Sequence, residues 1–112
     1  MSTEASSEQQ AVVVLTTVGN EEDAVRVART LVERRVAACV NVLPGVRSIY
    51  RWQGAVQDDG ELLLIVKTTR ARRDALVEAL REVHPYEVPE VVALDPTFVA
   101  PAYARWLVES VG

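Results

Sequence analysis

Residues 84–90, HPYEVPE, separate a helix-forming stretch from a short apolar strand and fix where each can end. Pro85 and Pro89 lack a backbone N–H and hold φ near about −65°, so no regular helix can pass through. Each proline also disfavours helical geometry at the preceding residue, which predicts an extended backbone at His84 and Val88. The segment is therefore predicted to be a stiff connector, and its polar side chains make it a candidate functional loop as well as a turn.

The sequence on either side of this connector predicts a helix before it and a strand after it. Arg70–Val83 carries apolar residues at helical spacing, and 91–94, VVAL, is a short strand ended by Asp95-Pro96. Pro101 suits the first position of a last helix. The predicted buried face of that helix consists of Tyr103, Trp106, Leu107 and Val111.

Two long apolar stretches precede the helix at 70–83. Residues 37–52, AACVNVLPGVRSIYRW, predict a strand kinked at Pro44-Gly45, and Ala55–Thr69 predicts the returning strand. Gln53-Gly54 and Asp59-Gly60 are rival turns. Gln53-Gly54 is preferred because it pairs the end of the first strand with residues from Ala55 onward, and it makes Gly60 a bulge or bend.

The N-terminal part predicts one more strand and one more helix. Ala11–Val18 is rich in β-branched residues and apolar on both faces, as a buried strand would be. Asn20, with Asp23 three residues on, resembles a capping box for a helix at 21–34. The predicted apolar stripe of that helix is Ala24, Ala28, Leu31 and Val32.

The element order β-α-β-β-α-β plus a final helix predicts an α+β, ferredoxin-like fold with an antiparallel sheet and both main helices on one face. The other face would expose a contiguous apolar surface, which monomers avoid. The hairpin strands, at about 12–15 residues, would span about 40–50 Å and overhang the domain. A homo-oligomer that covers the bare face and pairs the hairpins solves both problems.

Composition sets further limits on the class of protein. The 112 residues are 49% hydrophobic and 25% charged, which predicts one globular domain at 11–112, and the polar residues 1–10, MSTEASSEQQ, predict a disordered tail. A net charge of −4 disfavours nucleic-acid binding. No signal peptide and no apolar run near the ~20 residues of a membrane helix is apparent, so we expect a cytoplasmic protein without a membrane partner.

The sequence contains few side chains that could act as catalytic groups or metal ligands. His84 is the only histidine and Cys39 the only cysteine, and no nucleophile–base pair can be identified, so no enzyme activity and no required cofactor are expected. Cys39 in AACVNV is best interpreted as a small core residue. A group of arginines crowds the start of the helix at 70–83, where an anion, a neighbouring chain's carboxylates or simple solvation would explain it. These arginines are Arg70, Arg72 and Arg73.

Several segments together resemble the CutA family of divalent-cation tolerance proteins. They are VVVLTT, ERRVAACVNVLPGVRSIYRWQG, ELLLIVKTT, HPYEVPEVVAL and YARWL, and they span about residues 12–108. The resemblance implies a cytoplasmic homotrimer of ferredoxin-like subunits, similar in architecture to the PII signalling proteins. It also implies an intersubunit cleft lined by Trp52, Glu61, Lys67, Thr68, His84, Tyr86, Pro89 and Glu90.

The chain departs from the family pattern at two positions. Members proposed to bind copper carry a cysteine where this chain has Thr16 and a second histidine where it has Val83. A thiolate is the soft ligand that selects Cu(I), so the resemblance leaves His84 as the predicted metal ligand for a weak site. We expect this histidine to lie at the cleft, with its charged form favoured by the helix end and by Glu87 and Glu90.

Two function hypotheses follow. The protein is either a divalent-cation, notably copper, tolerance protein that binds metal weakly through His84 and nearby carboxylates, or a PII-like trimeric sensor or scaffold. In the second hypothesis a small molecule occupies the intersubunit cleft lined by Trp52, Glu61, Lys67, Tyr86 and Glu90. An enzyme is the weakest alternative, because no acid–base pair is evident.

Overall fold

The structure, a computed structural model, describes residues 7–112, whose strands and helices follow the predicted order. The four strands form one sheet in the order β2-β3-β1-β4, and each neighbouring pair is antiparallel. This is the ferredoxin-like α+β arrangement, so the predicted fold class is confirmed. The elements are β1 Ala11–Val18, α1 Glu21–Glu33, β2 Cys39–Trp52, β3 Ala55–Thr69, α2 Arg70–Val83, β4 Val92–Leu94 and α3 Pro101–Val111.

The main core lies between α1, α2 and one face of the sheet. Alternate residues of β1 are fully buried, as the two-residue period of a strand requires, and Val14 pairs with the equally buried Val66 of β3. The helices contribute Leu31, Leu76 and Leu80, each fully buried. On α1 the stripe differs by one residue from the prediction. Val27 is buried and Val32 is 41% exposed, because Val27 lies on the same helical face as Leu31.

Local signals in the sequence position both helices. Asn20 accepts a hydrogen bond from the Asp23 backbone N–H at 2.8 Å, which confirms the predicted cap of α1. The arginines at the start of α2 bind within the chain. Arg70 pairs with Asp95 at 3.1 Å, and Arg72 donates to the Arg35 carbonyl at 3.1 Å. Arg73 lies 3.4 Å from Asp74. Neither a bound anion nor a neighbouring chain is needed to explain this cluster.

The long hairpin turns at Gln53-Gly54, the turn that was preferred over Asp59-Gly60 on sequence grounds. Gln53 has φ 48° and Gly54 φ 80°, the two positive values that a tight hairpin turn needs. The prediction for Gly60 was wrong, because Gly60 pairs regularly with Arg47. The register shifts instead between Leu43 and Val46, where Pro44-Gly45 adds a residue to β2 as a bulge. The hairpin extends beyond the core, and the molecule measures 55 × 26 × 23 Å.

The second face of the sheet is covered only in part. Leu107 and Val111 of α3 form a small buried cluster with Ala38, and Ala11 packs against it. Because Ala11 and Val12 alternate along β1, α3 lies on the face opposite α1 and α2. The predicted burial of Tyr103 and Trp106 was wrong, since they are 39% and 43% exposed. Large apolar side chains that stay exposed on this face or at its edges include Leu43, Val92, Leu94 and Trp106.

Part of the predicted tail is folded. Ser7–Gln9 form a 3₁₀ turn, and the Arg70 backbone N–H donates to the Gln10 carbonyl at 2.9 Å. The Arg70 side chain also donates to the Ser7 hydroxyl at 3.3 Å. The turn therefore contacts the start of α2, although the composition of 1–10 predicted disorder. Residues 1–6 of that prediction lie outside the described residues.

Candidate functional site

A cleft of about 750 Å³ lies where the overhanging hairpin meets the connector between α2 and β4. One wall comes from the face of the hairpin that carries Tyr50 and Glu61, and the other from the connector. Thr17, at the end of β1, also borders the cleft. The lining residues are Thr17, Ser48, Ile49, Tyr50, Trp52, Asp59, Glu61, Tyr86, Glu87, Val88, Pro89 and Glu90.

Tyr86 joins the two walls. Its hydroxyl donates a hydrogen bond of 2.7 Å to Oε2 of Glu61 on β3. The ring reaches β3 because Gly19 leaves room for it: a Cβ at this position would lie 3.1 Å from the tyrosine oxygen. Burial, reinforced by the hydrogen bond to Glu61, raises the pKa of Tyr86 far above its usual value. The phenol therefore stays protonated and keeps donating to the carboxylate at any physiological pH.

Tyr50 makes a second phenol–carboxylate pair on the hairpin wall. Its hydroxyl donates to Oδ2 of Asp59 at 2.5 Å, and this hydrogen bond raises the pKa of Tyr50. Asp59 and Glu61 lie two residues apart on β3, so their side chains leave the strand on the same face. The cleft thus holds two adjacent carboxylates, each orienting a tyrosine.

His84 lies beneath the connector rather than in the open cleft. It is 8% exposed. Its Nε2 is 2.9 Å from the Thr17 carbonyl oxygen, and its Nδ1 accepts a hydrogen bond of 3.1 Å from the Tyr86 backbone N–H. A proton on Nε2 satisfies both contacts, which fixes the neutral imidazole in one tautomer. The histidine therefore secures the turn that presents Tyr86.

The expectation that the charged form of His84 is favoured was wrong. Burial lowers the pKa of the imidazole and outweighs the hydrogen bond to Thr17 and the charge of Glu61, both of which act in the opposite direction. The ring folds inward, toward the end of β1, so that desolvation dominates over the helix end. A metal ion at either ring nitrogen would have to displace the Thr17 carbonyl or the Tyr86 N–H.

The predicted cleft residues divide into two groups. Trp52, Glu61, Tyr86 and Glu90 line the cleft together. Lys67 does not. It lies six residues further along β3 than Glu61, about 20 Å away along the strand, and its Nζ sits 5.9 Å from the centre of the Tyr103 ring on α3. Lys67 shares the sheet face of the cleft but lies at its other end.

The donor groups that would hold a metal are dispersed. Cys39 pairs with Lys67 at the far end of the sheet, and it is half-buried. Within residues 7–112 no group of three His, Cys, Asp or Glu side chains is placed to hold a metal ion. Thr16, where the family pattern has a cysteine, is fully buried on the helix-covered face of β1. Within these residues a soft Cu(I) site therefore has no fitting donor set.

Sequence reasoning missed Thr17, Tyr50 and Asp59 as cleft residues. A signal for two of them was present. A two-residue turn at 53–54 places Ser48 opposite Asp59, and Tyr50 one step along the same face. No local signal could place Thr17 there, because its position depends on the connector folding back onto the end of β1.

Fold and site together define a class of protein: a small ferredoxin-like domain whose overlong β2–β3 hairpin and α2–β4 connector enclose an acidic, aromatic cleft. The family model for the CutA1 divalent ion tolerance protein matches residues 12–110. The chain belongs to this family.

Individual relatives agree with this assignment. The divalent-cation tolerance protein CutA of Thermus thermophilus is 53% identical over 100 residues, which cover 89% of this chain and 97% of that protein. Its solved structure has a TM-score of 0.88 at 51% identity, over 92% of this chain and 100% of that chain. The chloroplastic CutA of Arabidopsis thaliana is 42% identical over 96% of this chain, which spans only 59% of the plant protein.

Proposed function

We propose that the protein acts in divalent-cation tolerance and that it does so as a homotrimer. Family membership carries the first part, because the Thermus thermophilus relative bears this function in its name. Two features support the second part: the partly bare apolar sheet face and the hairpin that extends beyond the core. Both features would be buried against neighbouring copies.

Light scattering tests the assembly. We expect a mass close to three times the 12.3 kDa of one chain. Two exposed apolar side chains on opposite sides of the sheet, Leu94 and Val25, give a matched test of the interface. Leu94→Asp should dissociate the assembly, whereas Val25→Asp, at an exposed position of α1 on the other side of the sheet, should leave the mass unchanged. A monomer at micromolar concentration would contradict the proposal.

The metal would bind weakly in the cleft. Glu61 and Asp59 offer oxygen ligands to a divalent ion, and because one chain supplies no complete ligand set among its described residues, a neighbouring subunit would complete the site. His84 as the imidazole ligand stays a prediction, and it requires loss of one of the two hydrogen bonds of the ring. We expect a dissociation constant of about 10⁻⁵ M, as for weak oxygen-ligand sites.

Calorimetric titration with Zn²⁺ and Cu²⁺ tests the metal proposal. Glu61→Gln should weaken binding. Asp58→Asn is the matched control, since it removes one charge from the adjacent part of the hairpin, where Asp58 binds Arg47 and does not line the cleft. His84→Ala decides the role of the imidazole. An affinity unchanged in this variant would remove His84 from the ligands and leave the carboxylates.

A second function is favoured by the size and walls of the cleft. A volume of about 750 Å³ lies in the range of small-molecule sites, and the lining includes the aromatic side chains of Tyr50, Trp52 and Tyr86. We propose as the alternative that the protein is a PII-like trimeric sensor or scaffold whose cleft binds a small organic molecule. Retention of a ligand by native mass spectrometry of the purified protein, lost in Trp52→Ala, would favour it over metal binding.

Two further predictions concern the cellular location of the protein and the absence of enzyme activity. No helix within residues 7–112 is long and apolar enough to cross a bilayer. A cytoplasmic location stays a prediction, and the Arabidopsis thaliana relative is named as chloroplastic. The absence of catalysis also stays a prediction.

A further inference from the structure

The connector between α2 and β4 is anchored at its two ends. At its start, His84 is buried, and its Nε2 lies 2.9 Å from the Thr17 carbonyl oxygen. At its end, Val91 packs against the main core. Residues 85–90 lie between these anchors, and all of them except Pro89 are exposed. Because little of this middle part is buried, it depends on hydrogen bonds to stay in place.

Tyr86 makes the hydrogen bonds that hold residues 85–90. Its backbone N–H donates to Nδ1 of His84 at 3.1 Å, and its hydroxyl donates to Glu61 on the hairpin at 2.7 Å. Within residues 7–112, no other backbone group or side chain of 85–90 forms a hydrogen bond. A segment with so few bonds opens locally at a far lower free energy than the whole domain unfolds.

Two prolines make the middle part of the connector stiff. Pro85 and Pro89 fix φ at their own positions and restrict the backbone of the residues before them. Neither has a backbone N–H, so neither can add a hydrogen bond that would hold the segment down. Loss of the bonds made by Tyr86 therefore releases residues 85–90 together rather than one at a time.

We propose that residues 85–90 form a lid on the cleft, latched by the hydrogen bond from the Tyr86 hydroxyl to Glu61, and that opening of the lid exposes His84. In the closed lid, the Tyr86 N–H occupies the lone pair on Nδ1 of the imidazole. Opening breaks this bond and leaves Nδ1 accessible, while Nε2 keeps its contact with the Thr17 carbonyl. The lid thus decides whether the histidine serves the structure alone or can meet a molecule from solution. This inference goes beyond the proposed function, because it holds for any ligand of the cleft.

Acylation of His84 by diethyl pyrocarbonate measures the open state. The reagent attacks an unprotonated imidazole nitrogen, which is Nδ1 in the tautomer that carries its proton on Nε2. This is the atom that the Tyr86 N–H covers in the closed lid. His84 is the only histidine, so the absorbance of the acylated imidazole reports a single site. At about pH 8 the imidazole is neutral with the lid open or closed, so a change in rate reports opening rather than protonation.

Two variants remove the latch from opposite sides. Tyr86→Phe keeps the ring and the backbone N–H and removes only the hydroxyl. Since a hydrogen bond to a charged group shifts an opening equilibrium by about tenfold or more, His84 in this variant should be acylated about tenfold faster than in the parent protein. Glu61→Ala should give the same increase, and the double variant should be no faster than either single variant.

Tyr50→Phe is the matched control for Tyr86→Phe. It also removes a phenol hydroxyl that binds a carboxylate of the cleft, but the bond from Tyr50 to Asp59 lies within the hairpin wall. Its acylation rate should equal that of the parent protein. An equal increase in Tyr50→Phe and Tyr86→Phe overturns the proposal, because the effect is then not that of a latch on the connector.

Hydrogen exchange of the same samples, followed by mass spectrometry, separates lid opening from loss of the fold. In both latch variants the connector should lose protection, whereas α2, which contains the fully buried Leu76 and Leu80, should keep that of the parent protein. If α2 loses protection equally, acylation follows general unfolding and the proposal fails. Equal acylation rates in Tyr86→Phe and the parent protein also overturn it, since another contact, such as a neighbouring copy, then holds the connector closed.

Discussion

Two buried threonines on neighbouring strands should respond in opposite ways to the same substitution. Thr16 of β1 and Thr68 of β3 are both fully buried. The hydroxyl of Thr68 donates a hydrogen bond of 2.7 Å to the Val36 carbonyl, whereas the hydroxyl of Thr16 has no partner within the described residues. Valine has nearly the shape of threonine without the hydroxyl, so Thr→Val isolates the hydrogen-bonding contribution at each site.

The expected change in the free energy of unfolding at each site follows from whether the threonine hydroxyl has a hydrogen-bond partner. A buried polar group without a hydrogen bond costs about 1–3 kcal/mol, so Thr16→Val should raise the free energy of unfolding by about 1 kcal/mol or more. Thr68→Val removes a satisfied hydrogen bond and leaves the Val36 carbonyl without it, so it should lower the same quantity by about 1–2 kcal/mol. Urea unfolding of both variants and the parent, at equal protein concentration, measures the two changes. A loss of stability in Thr16→Val, or the same sign in both, would refute the reasoning.

The remaining predictions concern the core, the cleft and the buried histidine. Leu76→Ala, at a fully buried position between α2 and the sheet, should cost about 2–5 kcal/mol in urea unfolding, and a cost under about 0.5 kcal/mol would contradict this packing. Gly19→Ala should shift the Tyr86 hydroxyl by a few tenths of an ångström, since the new methyl group would lie 3.1 Å from it; a crystal structure of the variant with an unchanged Tyr86 position would count against this. Burial holds the pKa of His84 below its ordinary value of 6.5, so the unfolded chain takes up the proton more readily. Stability should therefore be fully present above about pH 6.5 and fall as the pH drops through the lowered pKa of the folded state, with a shallower fall in His84→Ala; an identical pH dependence in that variant would exclude His84 as the cause.

Local sequence signals predicted the fold because each element is specified by its own residues. The β-branched run at Ala11–Val18, the cap at Asn20 and the turn at Gln53-Gly54 each act over a few residues, and the structure contains all three. The kink predicted at Pro44-Gly45 does interrupt the register, whereas the bulge or bend expected at Gly60 is absent, because Gly60 pairs regularly with Arg47. Which of two permissive residues bends a strand depends on the packing of the whole hairpin.

The candidate site was harder to predict because long-range contacts arrange it. His84 turns inward to reach the Thr17 carbonyl, 67 residues away in sequence, and this contact decides its burial and the direction of its pKa shift. Lys67 has the residue type of a cleft ligand but lies about 20 Å along β3 from Glu61, a separation that a list of matching positions does not reveal. Trp52 and Tyr86 line the same cleft because the hairpin presents one and the connector the other.

Titration with Zn²⁺ tests the proposed role in divalent-cation tolerance most directly, with Glu61→Gln and Asp58→Asn as the paired variants. The proposal predicts a dissociation constant of about 10⁻⁵ M for the parent protein, clearly weaker binding in Glu61→Gln and parental affinity in Asp58→Asn. The affinity should also fall as the pH is lowered, because protons compete with the metal for its ligands. Absence of Zn²⁺ binding, or equal affinity in Glu61→Gln and the parent, would contradict a metal-binding cleft.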